Sequence, residues 1–140
     1  MGECAAVNAT AVTDFVLAAV ALTFAVLLAR SWQAHWIWVL AYAFVTAAAF
    51  AGGIFHAGTH SGTLWNATLV LIGVAIVLYI AASFAGGLPA GAPRTHWIIA
   101  GAVVTAIGFG LQRSPLRVHN VVYHLVQIAG LYLFYRGARL

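Results

Sequence analysis

The chain has no lysine, one cysteine, one methionine, three prolines and only two acidic side chains, Glu3 and Asp14. Without a lysine amine there is no retinal-type Schiff base, so light-driven pumping by that chemistry is excluded. A lone Cys4 excludes an intrachain disulfide and a thiolate metal cluster. Charged residues are scarce as well, 6% of the chain against roughly 25% in soluble domains. The basic charge is all arginine, and it is scattered rather than run together. With no basic run and no interleaving of basic and aromatic residues, nothing points to nucleic acid. The first apolar run has no charged segment before it, so no cleavable signal peptide is expected.

What the sequence has instead is apolar length. Hydrophobic residues make up 64% of 140 positions, and a spanning helix needs about 20 of them in sequence. Five such segments are legible, at about residues 11–30, 35–56, 64–84, 96–112 and 118–135. The expected fold is therefore all-α, a five-helix transmembrane bundle in a single domain over residues 1–140. Thr13 and Asp14 stand where they can cap the first segment. Trp32, Trp36 and Trp38 form an interfacial belt at the start of the second, and Trp65 anchors the third. Gly86, Gly87, Pro89, Gly91 and Pro93 mark the clearest break in the chain. The fourth segment is short and glycine-rich, with Gly101, Gly108 and Gly110. On the second, Ala48 with Gly52 and Ala49 with Gly53 recur at i, i+4 and predict close helix approach.

Arginine placement sets an expected orientation. Arg30, Arg94, Arg136 and Arg139 fall on one side of five alternating spans, and Arg113 and Arg117 on the other. The larger group reads as cytoplasmic, with the N-terminus outside and the C-terminus inside.

The same alternation sorts the polar residues. Asp14, His56, His60, Asn66, His119, Asn120 and His124 all belong to one leaflet or its adjoining surface, while His35 and His96, each followed by tryptophan, lie at the other. Asn120, His124 and Gln127 share one stripe of the last segment at i, i+4 and i+7. Polar groups at membrane depth need partners and mark a functional site by default. His56 and His60 have the spacing of a helical chelating pair, and His124 completes a three-nitrogen zinc site with an open position for water. Asp14 would assist that water, with His119, Asn120, Gln127 and Asn66 around the ligands. Two other readings use the same residues. A polar stripe can serve helix association, making the chain a non-catalytic subunit of a larger membrane complex. A histidine in a span is also a ready axial ligand for haem or chlorophyll.

The pair Phe55-His56 at the end of the second segment and Tyr123-His124 at the start of the last resemble the CREST superfamily of membrane hydrolases, which includes alkaline ceramidases and progestin and adiponectin receptors. The resemblance implies that His56 and His124 ligate zinc and that a metal-bound water cleaves an amide or ester bond of a lipid substrate. The chain differs from that pattern at three places. Gly52 stands where a serine precedes the first histidine, Asn120 where the last motif begins with histidine, and Asn66 near the position of the family aspartate. Seven spans are usual in the superfamily.

Overall fold

The computed structural model describes residues 2–113, Pro115 and residues 118–140, with side chains from residue 9 onward. Arg117, one of the two arginines expected on the N-terminal side, lies outside them. Five helices follow one another, α1 (Gly2–Ala29), α2 (Trp32–Ile54), α3 (Gly62–Ala85), α4 (Pro93–Gln112) and α5 (His119–Ala138), with no strand among the described residues. A one-turn π-helix, Phe55–Thr59, extends α2. The chain is all-α, as its apolar segments predict.

Four stretches are long and apolar enough to cross a membrane, Ala9–Ala29, Trp32–Thr59, Gly62–Ala85 and Pro93–Gln112. By the same measure α5 falls short, because its polar residues dilute its hydropathy. Those residues face inward, however. His124 and Gln127 are buried, while Val118, Leu125 and Tyr132 are exposed. Its 20 residues rise about 30 Å, the thickness of a hydrocarbon core.

The boundaries follow local chemistry. Arg30 and Ser31 separate α1 from α2 by a tight turn, with the Ser31 amide bonded to the Leu28 carbonyl. The glycine and proline segment ends α3 through Gly87 and Gly91, both at positive φ, and Pro93 opens α4 where its missing N–H costs nothing. The main departure is at the first helix. It begins at Gly2, so Asp14 is an interior helical residue rather than a cap.

Pairs of touching residues define the packing. Phe24 of α1 stacks on Tyr135 of α5 with ring centroids 4.6 Å apart, and Asp14 meets His124, so both numbers rise together and the two helices are parallel. Gly52 lies against Asp14 and Gly53 against Phe15, whereas Tyr42 lies against Phe24, so α2 runs antiparallel to α1. Tyr79 of α3 packs edge-on against Trp38 and Tyr42. Along α4 and α5, Gly101 meets Phe134, Gln127 meets Gly108, and Gly137 meets Ile98, again antiparallel. Parallel α1 and α5 are what alternating threading requires.

One half of the bundle is an aromatic core around Trp38, Tyr42, Tyr79 and Phe134. Tyr42 is wholly buried, and its hydroxyl donates to the Leu131 carbonyl at 2.7 Å. The other half holds the polar residues. α3 packs chiefly on α2 and presents Val70, Val77 and Phe84 outward, a composition suited to lipid.

Candidate functional site

Asp14 and His124 meet between α1 and α5, and both are buried, 5% and 6% exposed. The Asp14 Oδ1 to His124 Nε2 distance is 3.1 Å. The other ring nitrogen, Nδ1, is 2.8 Å from the Thr13 hydroxyl. That hydroxyl in turn donates to the Thr10 carbonyl at 2.9 Å. A hydroxyl has one proton to give. Given to Thr10, it leaves Thr13 to accept from His124, so that Nδ1 carries a hydrogen and one further proton lies between Nε2 and Oδ1, as imidazolium facing carboxylate or neutral imidazole facing carboxylic acid. Turned to Nδ1, it leaves the ring hydrogen on Nε2, where neutral His124 donates to the carboxylate. The pair has zero net charge in the first arrangement and a single negative charge in the second.

Asp14 Oδ2 is buried and has no hydrogen-bond partner among the described residues. Room for the carboxylate comes from α2. A Cβ on Gly52 would lie 3.4 Å from Oδ1 and 3.5 Å from Oδ2, so any side chain longer than a methyl group would displace it. Tyr123, next to His124, is buried and packs against Phe109 of α4 with ring centroids 5.6 Å apart.

His56 and His60 approach this pair from the surface. His56 is half-buried and His60 exposed. Both rings pack against Phe55, at 5.2 and 5.5 Å between centroids, and His56 also faces Trp65 at 6.3 Å. The π-turn that carries both histidines packs against α1 as well as α2. The regular helical spacing expected of His56 and His60 is replaced by the π-turn. Gly58 has φ 132° and His60 φ 43°, in the left-handed region, so the chain leaves α2 just where a chelating face would continue.

The structure therefore joins Asp14 to His124 and sets His56 and His60 on Phe55, but it does not form the three-nitrogen grouping. Among the described residues no cluster of three histidine, cysteine, aspartate or glutamate side chains is arranged to hold a metal ion. The reason at His124 is that both ring nitrogens are already engaged. The remaining expected site residues are peripheral. His119 and Asn120 are half-buried in the first turn of α5, and Asn66 is exposed on α3. Gln127 donates through Nε2 to the Thr105 carbonyl of α4 at 3.1 Å, one turn further along α5 than His124, and serves the α4–α5 contact.

Sequence reasoning missed two contributors. Thr13 reads as a cap until α1 is seen to start at Gly2, and Gly52 reads only as a packing residue. Adjacency to Asp14 was the one available sign for Thr13.

Comparison with curated proteins and with solved structures gave no significant match. A family model does match, over residues 9–91 and 88–140, which together cover nearly the whole chain, and the chain belongs to that family, DUF6962, a family of unknown function.

Proposed function

We propose that this is an integral membrane protein whose Asp14–His124 pair binds and exchanges a proton, making the contact between α1 and α5 proton-dependent. The observation that carries the reading is the joined, buried pair with one ring nitrogen held by Thr13 and one carboxylate oxygen unpartnered. With a single proton between them the pair is neutral. Removing it leaves a net negative charge between the helices, with neutral His124 facing the Asp14 carboxylate across 3.1 Å. Adding a second, at Oδ2, leaves a net positive charge at membrane depth. Either change is costly in a low-dielectric setting, and separation of the two helices relieves it. His56 and His60 supply a stepwise route between the pair and water, since imidazole accepts and releases protons near neutrality. The arginine distribution supports an N-terminus outside and a cytoplasmic C-terminus, which opens that route to the outer face.

The zinc reading, and with it hydrolysis of a lipid amide or ester, needs His124 to give up one of its two present partners, as does haem or chlorophyll ligation at His124, though not at His56. One metal per purified chain, lost in His124→Ala, would replace the proton reading.

The direct test is infrared difference spectroscopy of the protein in lipid, stepped through about pH 4 to 9. Because Glu3 and Asp14 are the only acidic side chains, a carboxylic acid band has few sources. We expect a titrating band that vanishes in Asp14→Asn and persists in Glu3→Gln. A band unchanged by Asp14→Asn, or none in the wild type, overturns the proposal.

A further inference from the structure

At the far end of the bundle from Asp14, the last turn of α1, the turn into α2 and the last turn of α5 enclose a pocket of about 360 Å³. Arg30, Ser31, His35, Tyr135 and Arg139 line it over an apolar floor at Leu27. Its polar groups are ordered among themselves. The Ser31 hydroxyl is 3.0 Å from His35 Nδ1, and Arg139 Nη1 donates to the Tyr135 hydroxyl at 3.4 Å.

What this end lacks is an acidic side chain. Arg30, Arg94, Arg136 and Arg139 all lie here, yet the chain's two acidic side chains belong to the opposite end of α1. Asp14 is sixteen residues before Arg30, about 24 Å along the helix axis, and is bound to His124. No acidic side chain of residues 1–140 can therefore neutralise the Arg30 and Arg139 guanidiniums, which leaves them able to take an external anion.

We propose that this pocket binds the phosphate ester of an anionic membrane lipid. Two guanidiniums with a hydroxyl and an imidazole beside them form a donor set matched to phosphate oxygens. The surroundings favour a lipid over free phosphate. Trp32 and Trp36, 49% and 48% exposed, flank the pocket as interfacial anchors. Below it, Val26 and Leu22 lie four and eight residues before Arg30, on the same face of α1 and 54% and 52% exposed, a track along which an acyl chain can descend.

The test is native mass spectrometry of the full chain released from mixed micelles containing equal phosphatidylglycerol and phosphatidylcholine. Wild type should retain the anionic lipid about tenfold over the neutral one, a preference of about 1.4 kcal/mol, since arginines near the headgroups attract anionic lipid. The double variant Arg30→Gln with Arg139→Gln should bring the two lipids within about twofold, whereas Arg113→Gln, at the other end, should leave the preference intact. If the double variant does not survive purification, Arg139→Gln and Ser31→Ala, tested singly, should each lower the ratio. Inorganic phosphate, added as a competitor, should leave the lipid bound. Equal retention of both lipids by wild type, equal losses in Arg113→Gln and the double variant, or no fall in the ratio in the two single variants overturns the proposal. So does displacement by millimolar phosphate, which would assign the pocket to the free anion.

Discussion

A single carboxylate inside an apolar helix costs on the order of 3 kcal/mol to place at the centre of a membrane, so its partner governs what it contributes. Here the partner is His124, and the two report on each other in a mutational cycle. His124→Leu leaves Asp14 without its 3.1 Å contact and should destabilise the fold by about 3–5 kcal/mol, whereas Asp14→Leu combined with His124→Leu should recover most of that loss. Unfolding in detergent by heat or by sodium dodecyl sulfate measures both. If the double variant were as unstable as the single one, the pair would not be interacting as described. Gly52 gives a finer probe, because its absent Cβ would stand 3.4 Å from Asp14 Oδ1. Gly52→Ala should be nearly neutral, while Gly52→Val should cost about 1–3 kcal/mol and push the carboxylate off His124. The Asp14 band proposed above should then shift in the valine variant and stay put in the alanine one. Glycine at position 52 thus has a local cause, since the space a side chain would take is filled from α1.

Between elements, the tightest seam is α4 on α5. Gly101 and Gly108 on one helix and Gly130 and Gly137 on the other recur at seven-residue spacing, and each is buried. A Cβ on Gly130 would come within 2.6 Å of the Thr105 hydroxyl, whereas one on Gly110 would meet nothing within 4 Å. Gly130→Ala should therefore cost about 1–3 kcal/mol, and Gly110→Ala should be neutral or stabilising by up to about 1 kcal/mol through its better helix propensity. Equal effects at the two positions would show that the seam is looser than these distances imply. The π-turn makes a separate prediction. Gly58 has φ 132°, where an L side chain is strained, so Gly58→Ala should disturb the Phe55–Thr59 turn and alter proton access through His56 while leaving the Asp14–His124 contact in place. The glycines of α4 made that segment look weak as sequence. They are instead what lets it lie against α5.

For the molecule as a whole, parallel α1 and α5 leave both chain ends of the site in one leaflet and four arginines at the opposite end. Orientation can be measured directly. In a Cys4→Ser background, Ser61→Cys and Gly87→Cys should react with an impermeant maleimide from opposite sides of sealed vesicles, with Ser61 on the outer face and Gly87 on the cytoplasmic one. Labelling of both from one side would break the alternation, and the reverse assignment would invert the topology. Odd-even threading made the shared leaflet of Asp14, His56 and His124 legible before any coordinates, because it depends only on the number of apolar segments between them. The rotation of α5 was legible from its stripe of Asn120, His124 and Gln127, of which His124 and Gln127 are buried; that of α1, α2 and α3 was not, since these are apolar nearly all round and give no stripe from which to infer a facing direction.

The sequence by itself determined the class of protein, the number of helices, their order and the end of the bundle at which each polar residue lies, because transfer of apolar length into lipid is additive and local. Tertiary structure decided which polar groups touch. That Thr13 rather than a metal occupies His124 Nδ1, that Gly52 makes room for a carboxylate, and that Gln127 pairs with the Thr105 carbonyl all depend on helix rotation and close approach. Those are fixed by packing among five helices at once, which no single segment encodes.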